Sequence, residues 1–301
     1  MNASYQHMSV LPEETLQALE LQKDGLYVDA TMGGAGHTKM ILQKLGSEAR
    51  MVLFDQDEAA WGNAPKDDRV LLVKANFRYL YRFLDFHNAL NADGILADLG
   101  VSSHHFDTPE RGFSLRFEGP LDMRMDRRSS VTAEQILAEY SVEELQEIFS
   151  KYGELRNSKT VAKTIVEQRK IKTIKTTQEL KLLLQSFVRG NEHRYWAQLF
   201  QALRIEVNQE LKVLEQFLVD SRDALKPGGR LVIITFHSLE DRIVKRFFRN
   251  GGFINPIEKD VMGREIEKRQ MKELWNCVAS EEELKLNPRA KSARLRVGIK
   301  L

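Results

Sequence analysis

The sequence predicts an α/β protein with a doubly wound, parallel sheet and a helical domain inserted into it. Three observations carry that expectation. Short apolar runs alternate with helix-like stretches over the first hundred residues; three of those runs end in aspartate; and the alternation stops near Val101 and resumes near Lys226. Leu26-Tyr27-Val28 closes at Asp29, Met51-Val52-Leu53-Phe54 at Asp55, and Ile95-Leu96-Ala97 at Asp98. Short β-rich runs bounded by helical stretches read as strands of a parallel sheet. In open sheets of this kind ligands lie beyond the carboxyl ends of the strands, where all three carboxylates fall. The first run leads into the turn Met32-Gly33-Gly34-Ala35-Gly36-His37. A glycine turn, an acid about twenty residues later and a third acid deeper in the sheet describe a site for a ribose-bearing cofactor.

Pro12-Glu13-Glu14 opens a short helix, with proline suited to the first turn and acids complementing the helix dipole. The first strand ends at Asp29 and a helix follows from about His37 to Leu45. A second strand ends at Asp55, a third lies near Val70–Val73, a helix covers roughly Phe77 to Leu90, and a fourth strand spans Gly94–Asp98. Val101 to Ser130 has mixed charge and no period, and its only glycines, Gly112 and Gly119, are too few for a flexible linker. Irregular stretches of that length are uncommon unless functional. Thr132, Ser141 and Thr176 then stand as helix caps, the last two with capping-box spacing to Glu144 and Glu179. Trp196, Leu199, Phe200, Leu203, Val207, Leu211, Leu214 and Leu218 recur at three- and four-residue steps and predict one long amphipathic helix packed on a core. Lys226-Pro227-Gly228-Gly229 turns into the apolar run Arg230–Phe236, Ser238 caps a helix to about Arg249, and a last strand lies near Ala293–Ile299. The expected domains are 1–105 and 204–301, two parts of one α/β unit, with 106–203 as the helical insertion.

The chain has 301 residues, 42% of them hydrophobic, enough to bury a substantial core. A single cysteine, Cys277, excludes an internal disulfide and fits a reducing cytoplasm. No apolar stretch approaches the roughly 20 residues that cross a bilayer, and the polar segment Met1–Val10 does not read as a signal peptide. The net charge is only +2, but Lys151–Phe200 holds eleven Lys/Arg against four Glu and no Asp, so the remainder is net acidic. Such a local excess is either a solvated helical surface or a face for nucleic-acid phosphates.

At the expected site, Gly33-Gly34-Ala35-Gly36 lets backbone approach a ligand closely. It is not G-x-G-x-x-G, because Lys39 stands at the third glycine position, which counts against a dinucleotide. No G-x-x-x-x-G-K-[ST] is present, which counts against nucleotide hydrolysis. Asp55 can accept two hydrogen bonds from a ribose diol. Asp98 can orient an amine nucleophile or receive its proton. The pair His104-His105 lacks a third ligand at recognisable spacing, so no metal is expected. His237 reads equally as a ligand-side residue and as a structural histidine at a helix start.

These residues sit in longer segments: HMSVLPEETL from His7, YVDATMGGAGH from Tyr27, ADLGVSS from Ala97, ERGFSLRFEGPLDMRMD from Glu110, FQALRIEVNQEL from Phe200, PGGRLVIITFHSLEDRIVKRF from Pro227 and NPRAKSARLR from Asn287. Through them nearly the whole chain resembles the MraW family of bacterial small-subunit ribosomal RNA cytosine-N4 methyltransferases. The resemblance implies a Rossmann-like class I methyltransferase fold, S-adenosylmethionine as cofactor and an inserted helical domain that helps recognise RNA. Carried over residue by residue, it implies cofactor contacts at Gly34, Ala35, Gly36, His37, Asp55, Phe77, Asp98 and His105; the position and chemistry of Asp98 make it the candidate catalytic residue as well. The implied partner is 16S rRNA within the small ribosomal subunit, in the cytoplasm and away from membranes, and the resemblance leaves room for a homodimer. Two departures stand out. His104-His105 replaces the family's usual Pro-Gln, and Arg194-Tyr195-Trp196-Ala197-Gln198-Leu199 replaces its HPATRT stretch. Two other readings of the residues are a methyltransferase acting on another amine and a catalytically silent RNA-binding factor. The second has no use for the glycine turn, Asp55 and Asp98 together.

Overall fold

Parallel pairing begins with the runs that end in aspartate. After α1 (Pro12–Leu19), β1 (Leu26–Asp29) is followed by α2 (Gly36–Leu42), β2 (Arg50–Phe54), β3 (Val70–Val73), α3 (Leu80–Phe86) and β4 (Ala92–Asp98). Six helices of the insertion come next: α4 (Ser103–Asp107), α5 (Ala133–Glu139), α6 (Val142–Lys151), α7 (Ser158–Arg169), α8 (Thr177–Leu184) and α9 (Glu192–Asn208). The chain returns to the sheet through α10 (Glu210–Ala224) into β5 (Leu225–Thr235), then α11 (Ser238–Asn250), β6 (Met271–Val278), α12 (Glu281–Leu286) and β7 (Arg294–Lys300). The computed structural model describes residues 9–101, 103–253 and 269–301. The polar start before Ser9 and Ser102 of the Ala97–Ser103 segment lie outside them.

The strand order is β3-β2-β1-β4-β5-β7-β6, with β1 to β5 parallel and β7 antiparallel to both of its neighbours. The order reverses between β1 and β4, which makes the crevice above that pair the place where a doubly wound sheet binds its ligand. One face of the sheet buries Val28, Phe54, Ile95 and Ile233 against Leu80, Leu84, Phe217, Val244 and Phe248. The other buries Tyr27, Met51, Leu96 and Ile234 beneath Leu11, Leu19, Ile41 and Leu42. Helices cover both faces, as expected of the Rossmann-like class I architecture.

The chain divides into two compact units, 1–100 with 211–301, and 101–210. Both limits of the insertion therefore lie outside the expected 106 and 203. Leu99 still belongs to the sheet, its N–H reaching Ile234 O at 2.9 Å. At the other end Asn208 is tied into the insertion, accepting from Met125 N at 2.8 Å and donating to Met123 O at 2.9 Å.

Within the insertion Thr132, Ser141 and Thr176 each cap their helix in a reciprocal capping box, so all three expected starts are observed. Its core joins Phe113, Leu121 and Met123 to Leu145, Phe149, Ile165, Leu199 and Leu203. The aperiodic stretch after β4 owes its order to a close crossing. A Cβ at Gly112 would meet Pro120 O at 2.0 Å, and one at Gly119 would meet Pro109 O at 2.0 Å. Gly112 also has φ +73°, so its lack of a side chain matters twice.

Three expectations are corrected. The long helix from Trp196 to Leu218 is two helices, α9 and α10, joined at Gln209, which takes a left-handed φ of 51°. The apolar period runs on across a one-residue joint, so the stripe does not reveal it. Ser238 is not the cap of α11. His237 is, with Glu240 completing the capping box. The helix expected from Phe77 to Leu90 is a 3-10 turn, Phe77–Tyr79, followed by α3 ending at Phe86. Strand β6 is an addition to the expected set. This sheet-edge run carries apolar residues on both parities, with Leu274 and Val278 outward and Met271 and Trp275 inward, so no alternation marks it.

A candidate cofactor site at the strand ends

The register explains how the three aspartates converge. Asp29 is level with Leu53 of β2 and Leu96 of β4. Asp55 and Asp98 therefore each stand two residues further along, flanking Thr31 at the start of the glycine turn. Past the strands the ladder continues, with Ala30 N donating to Leu96 O at 2.8 Å and Met32 N to Phe54 O at 3.0 Å. The turn then bends through Ala35, a fully buried residue with φ 59°, directly before α2. A left-handed conformation in a residue bearing a Cβ costs about 1–2 kcal/mol, held here by the surrounding packing. Gly36 leaves the space that Ser9 Oγ occupies beside the turn.

Asp29 serves the scaffold. It is buried, accepts from Thr38 Oγ1 at 2.6 Å and from Thr31 N at 3.1 Å, and so ties the strand end to α2. Burial raises its carboxyl above the ordinary range. Asp55 is placed differently. Its two oxygens accept one backbone N–H each, Oδ2 from Gly33 and Oδ1 from Asp57, both at 2.8 Å. A carboxylate offers about four lone-pair positions, so each oxygen retains capacity. Burial pushes the Asp55 carboxyl up to about 6.

Two residues without a signal in the sequence hold this geometry. Asn63 donates to Gly33 O at 2.9 Å, and Trp61 Nε1 donates to the backbone oxygen of Asp55 at 3.1 Å. The 3-10 turn Glu58–Asn63 thereby clasps the glycine turn and the end of β2 together. Its sequence, EAAWGN, has no period to mark it. Phe77 follows Asn76 at the end of β3, where Asn76 donates to Gln56 Oε1 at 2.6 Å and bridges the loops after β2 and β3. The Phe77 ring is half-buried and meets Phe217 edge-on at 4.9 Å.

Asp98 closes β4 with its N–H on Thr31 Oγ1 at 2.7 Å. Its Oδ2 lies 3.7 Å from His37 Nε2, while its Oδ1 and both His37 ring nitrogens are buried without a hydrogen-bond partner among the described residues. Burial opposes the imidazolium, but the carboxylates of Asp98, Asp29 and Glu283 outweigh it, and His37 sits above the ordinary imidazole range. Orphaned buried polar atoms are uncommon and ask for a partner. Here they stand at the strand ends where the sheet order reverses.

The structure thus brings Gly34, Ala35, Gly36, His37, Asp55, Phe77 and Asp98 to one end of the sheet. His105 belongs to the insertion, where it is buried with its ring 4.8 Å from that of Phe113. His237 resolves toward its structural reading. Nδ1 accepts from Glu240 N at 3.5 Å and Nε2 lies 3.1 Å from Glu240 Oε1, so both ring nitrogens face the helix it caps.

A turn nearly free of side chains, a carboxylate able to bridge a diol and orphaned polar atoms beside them suit a ribose-bearing ligand with further polar groups. Comparison with known proteins decides which. Residues 4–301 match the model of the MraW methylase family. The chain belongs to that family. Among relatives called ribosomal RNA small subunit methyltransferase H, that of Flavobacterium psychrophilum is 49% identical over 290 residues, covering 96% of this chain and 99% of the relative. That of Flavobacterium johnsoniae is 48% identical over 297 residues, covering 98% of each. That of Azobacteroides pseudotrichonymphae is 48% identical over 298 residues, covering 99% of this chain and 98% of the relative. As an MraW methylase the chain uses S-adenosylmethionine, and the residues at the strand ends fit that cofactor's ribose and polar substituents. Among the described residues no helix is long and apolar enough to cross a membrane.

Proposed function

We propose that this enzyme transfers a methyl group from S-adenosylmethionine to the exocyclic N4 of a cytosine in the decoding (P-site) region of 16S rRNA, acting on the small ribosomal subunit in the cytoplasm. The observation that supports this best is Asp98, a carboxylate at the reversal point of the sheet with one oxygen unclaimed among the described residues. The relatives' shared name supports the ribosomal RNA substrate.

S-adenosylmethionine supplies a methyl group on a sulfonium, a strong electrophile. Asp55 would hold the ribose diol, the turn Gly34–His37 would pass close to the ligand, and Phe77 would pack at the β3 edge. Asp98 orients the N4 amine, whose lone pair is otherwise delocalised into the pyrimidine. Transfer would exchange the S–CH3 bond for an N–CH3 bond, leaving a neutral thioether on the cofactor, and the carboxylate of Asp98 would receive the proton that N4 sheds. Alignment of reacting groups can equal an effective concentration of roughly 10⁵–10⁸ M, so positioning is most of the task. The cytosine must be unpaired or flipped out of its stack, which single-stranded rRNA permits.

The insertion grips phosphates flanking that base. Lys159, Lys163 and Lys170 are exposed and recur at helical spacing along one side of α7 and its end. Other basic residues of this region are engaged locally instead. Arg169 donates to Leu137 O and Tyr140 O at 2.9 and 2.6 Å, and Lys172 pairs with Glu179 at 2.6 Å.

Tritiated methyl transfer to purified small subunits lacking the modification tests the proposal. Incorporation into rRNA, lost when Asp98 is replaced, is expected. Tight subunit binding with no incorporation would instead identify a silent assembly factor.

A further inference from the structure

Asp98 has two oxygens with different surroundings. Oδ2 faces His37 Nε2 at 3.7 Å, and Oδ1 has no hydrogen-bond partner among the described residues. Asp98's main chain is fixed independently by Thr31, through the 2.7 Å bond from its N–H. Among the described residues its side chain has no such tether. The imidazole of His37 is buried, with only 7% of its side chain exposed, and neither ring nitrogen has a hydrogen bond among the described residues. A buried histidine with two unmet nitrogens is costly unless it acquires a partner.

We propose that His37 is the positioning residue of Asp98: its Nε2–H engages Oδ2 and fixes the carboxylate plane in which the proton of the substrate amine is received. The inference rests on the proposed role of Asp98 in methyl transfer. The present separation needs to close by roughly 0.5–1 Å to reach N–H···O range. Catalytic hydrogen bonds are often long in ligand-free enzymes and tighten when the site fills.

The charges around the ring favour this assignment. Asp98 on β4, Asp29 on β1 and Glu283 on α12 all face His37 and favour its imidazolium, against the cost of burial. Asp29 already accepts from Thr38 and Thr31, and Glu283 accepts from Leu11 N at 2.7 Å. Among the described residues Asp98 is the carboxylate within ion-pair distance of the imidazole, at 3.7 Å.

The test is a double-mutant cycle on the whole enzyme with His37→Gln and Asp98→Asn, in single turnover on small subunits. Each variant is assayed at saturating S-adenosylmethionine, with cofactor affinity measured separately by calorimetry. At saturating S-adenosylmethionine His37→Gln should slow methyl transfer at least about tenfold, over and above any change in cofactor affinity. In the Asp98→Asn background the same substitution should cost less than about twofold, because two changes acting through one group are not additive. The wild-type rate should fall at alkaline pH as His37 loses its proton, and His37→Gln should lack that limb. Equal losses in both backgrounds, a persisting alkaline limb, or a defect confined to cofactor affinity would overturn the role of His37 while leaving that of Asp98 intact. A normal rate for Asp98→Asn alone would overturn the role of Asp98 itself, and with it this inference.

Discussion

Asp55 joins binding chemistry to a testable pH dependence. Its carboxyl is pushed from the ordinary 3.8 to about 6 by burial, with neighbouring carboxylates adding to the effect. A diol donates its hydrogen bonds to the ionised form, so cofactor affinity should rise with pH up to about 6 and level off above. Asp55→Asn should flatten that dependence, and Asp55→Ala should cost about 1.5–3 kcal/mol of cofactor binding. Calorimetry on either side of that value checks both, and an unchanged affinity would remove Asp55 from the site. The sign for folding is opposite. A folded value raised above the unfolded one gives stability that is complete below 3.8 and lost as pH rises through about 6. The cofactor-free protein should therefore gain stability from this group on mild acidification. Asp98→Asn keeps size but removes charge, and should slow single-turnover methylation by roughly 10²-fold or more with RNA binding intact. Both acids are legible in the sequence because strand ends in a parallel sheet announce themselves by apolar runs that stop. Trp61 and Asn63 are not, since a 3-10 turn has no side-chain period and their roles depend on loops brought together by the sheet.

At the scale of elements, legibility follows the strength of the local signal. Capping boxes at Ser141 and Thr176 can be read directly because both partners lie within one turn. The joint at Gln209 cannot, because α9 and α10 keep the same apolar rhythm and the end of α9 is held by distant bonds from Asn208 to Met123 and Met125. Those bonds also give a physical reason why the segments FQALRIEVNQEL and ERGFSLRFEGPLDMRMD occur together: one is the clamp for the other. Arg111 adds to it from the same segment, donating to Arg124 O and Met125 O at 3.0 and 3.1 Å. The crossing at Gly112 and Gly119 is equally hidden, since its close approaches join backbone to backbone and leave no periodic mark in the sequence. Gly112→Ala should destabilise the insertion by about 2–4 kcal/mol, combining a left-handed backbone with a backbone clash. Denaturation followed by intrinsic fluorescence checks this, and a stability within error of the wild type would mean that the crossing relaxes freely.

At the scale of the whole molecule the charge asymmetry is local. The Rossmann-like unit carries the acids of the candidate cofactor site, while the positive excess is confined to Lys151–Phe200 within the insertion, whose earlier part is net acidic. That asymmetry is legible from composition, but not which cations are available. The structure withdraws Arg169 and Lys172 into local bonds and leaves Lys163, Lys170 and Lys175 exposed. Reversing those three should weaken subunit binding and lower the salt slope by roughly 0.7 for each phosphate of single-stranded RNA that is no longer neutralised, with cofactor affinity unchanged. An unaltered slope would make them ordinary surface charge. The proposed methylation of cytosine N4 in small-subunit rRNA can be read directly from the modified nucleoside. Purified small subunits are treated with the enzyme and S-adenosylmethionine, and the rRNA is digested and analysed by mass spectrometry of nucleosides and fragments. N4-methylated cytidine is expected in a decoding-region fragment with the wild-type enzyme, and its loss with Asp98→Asn. A methyl group on another base, or on cytidine outside that region, would contradict it.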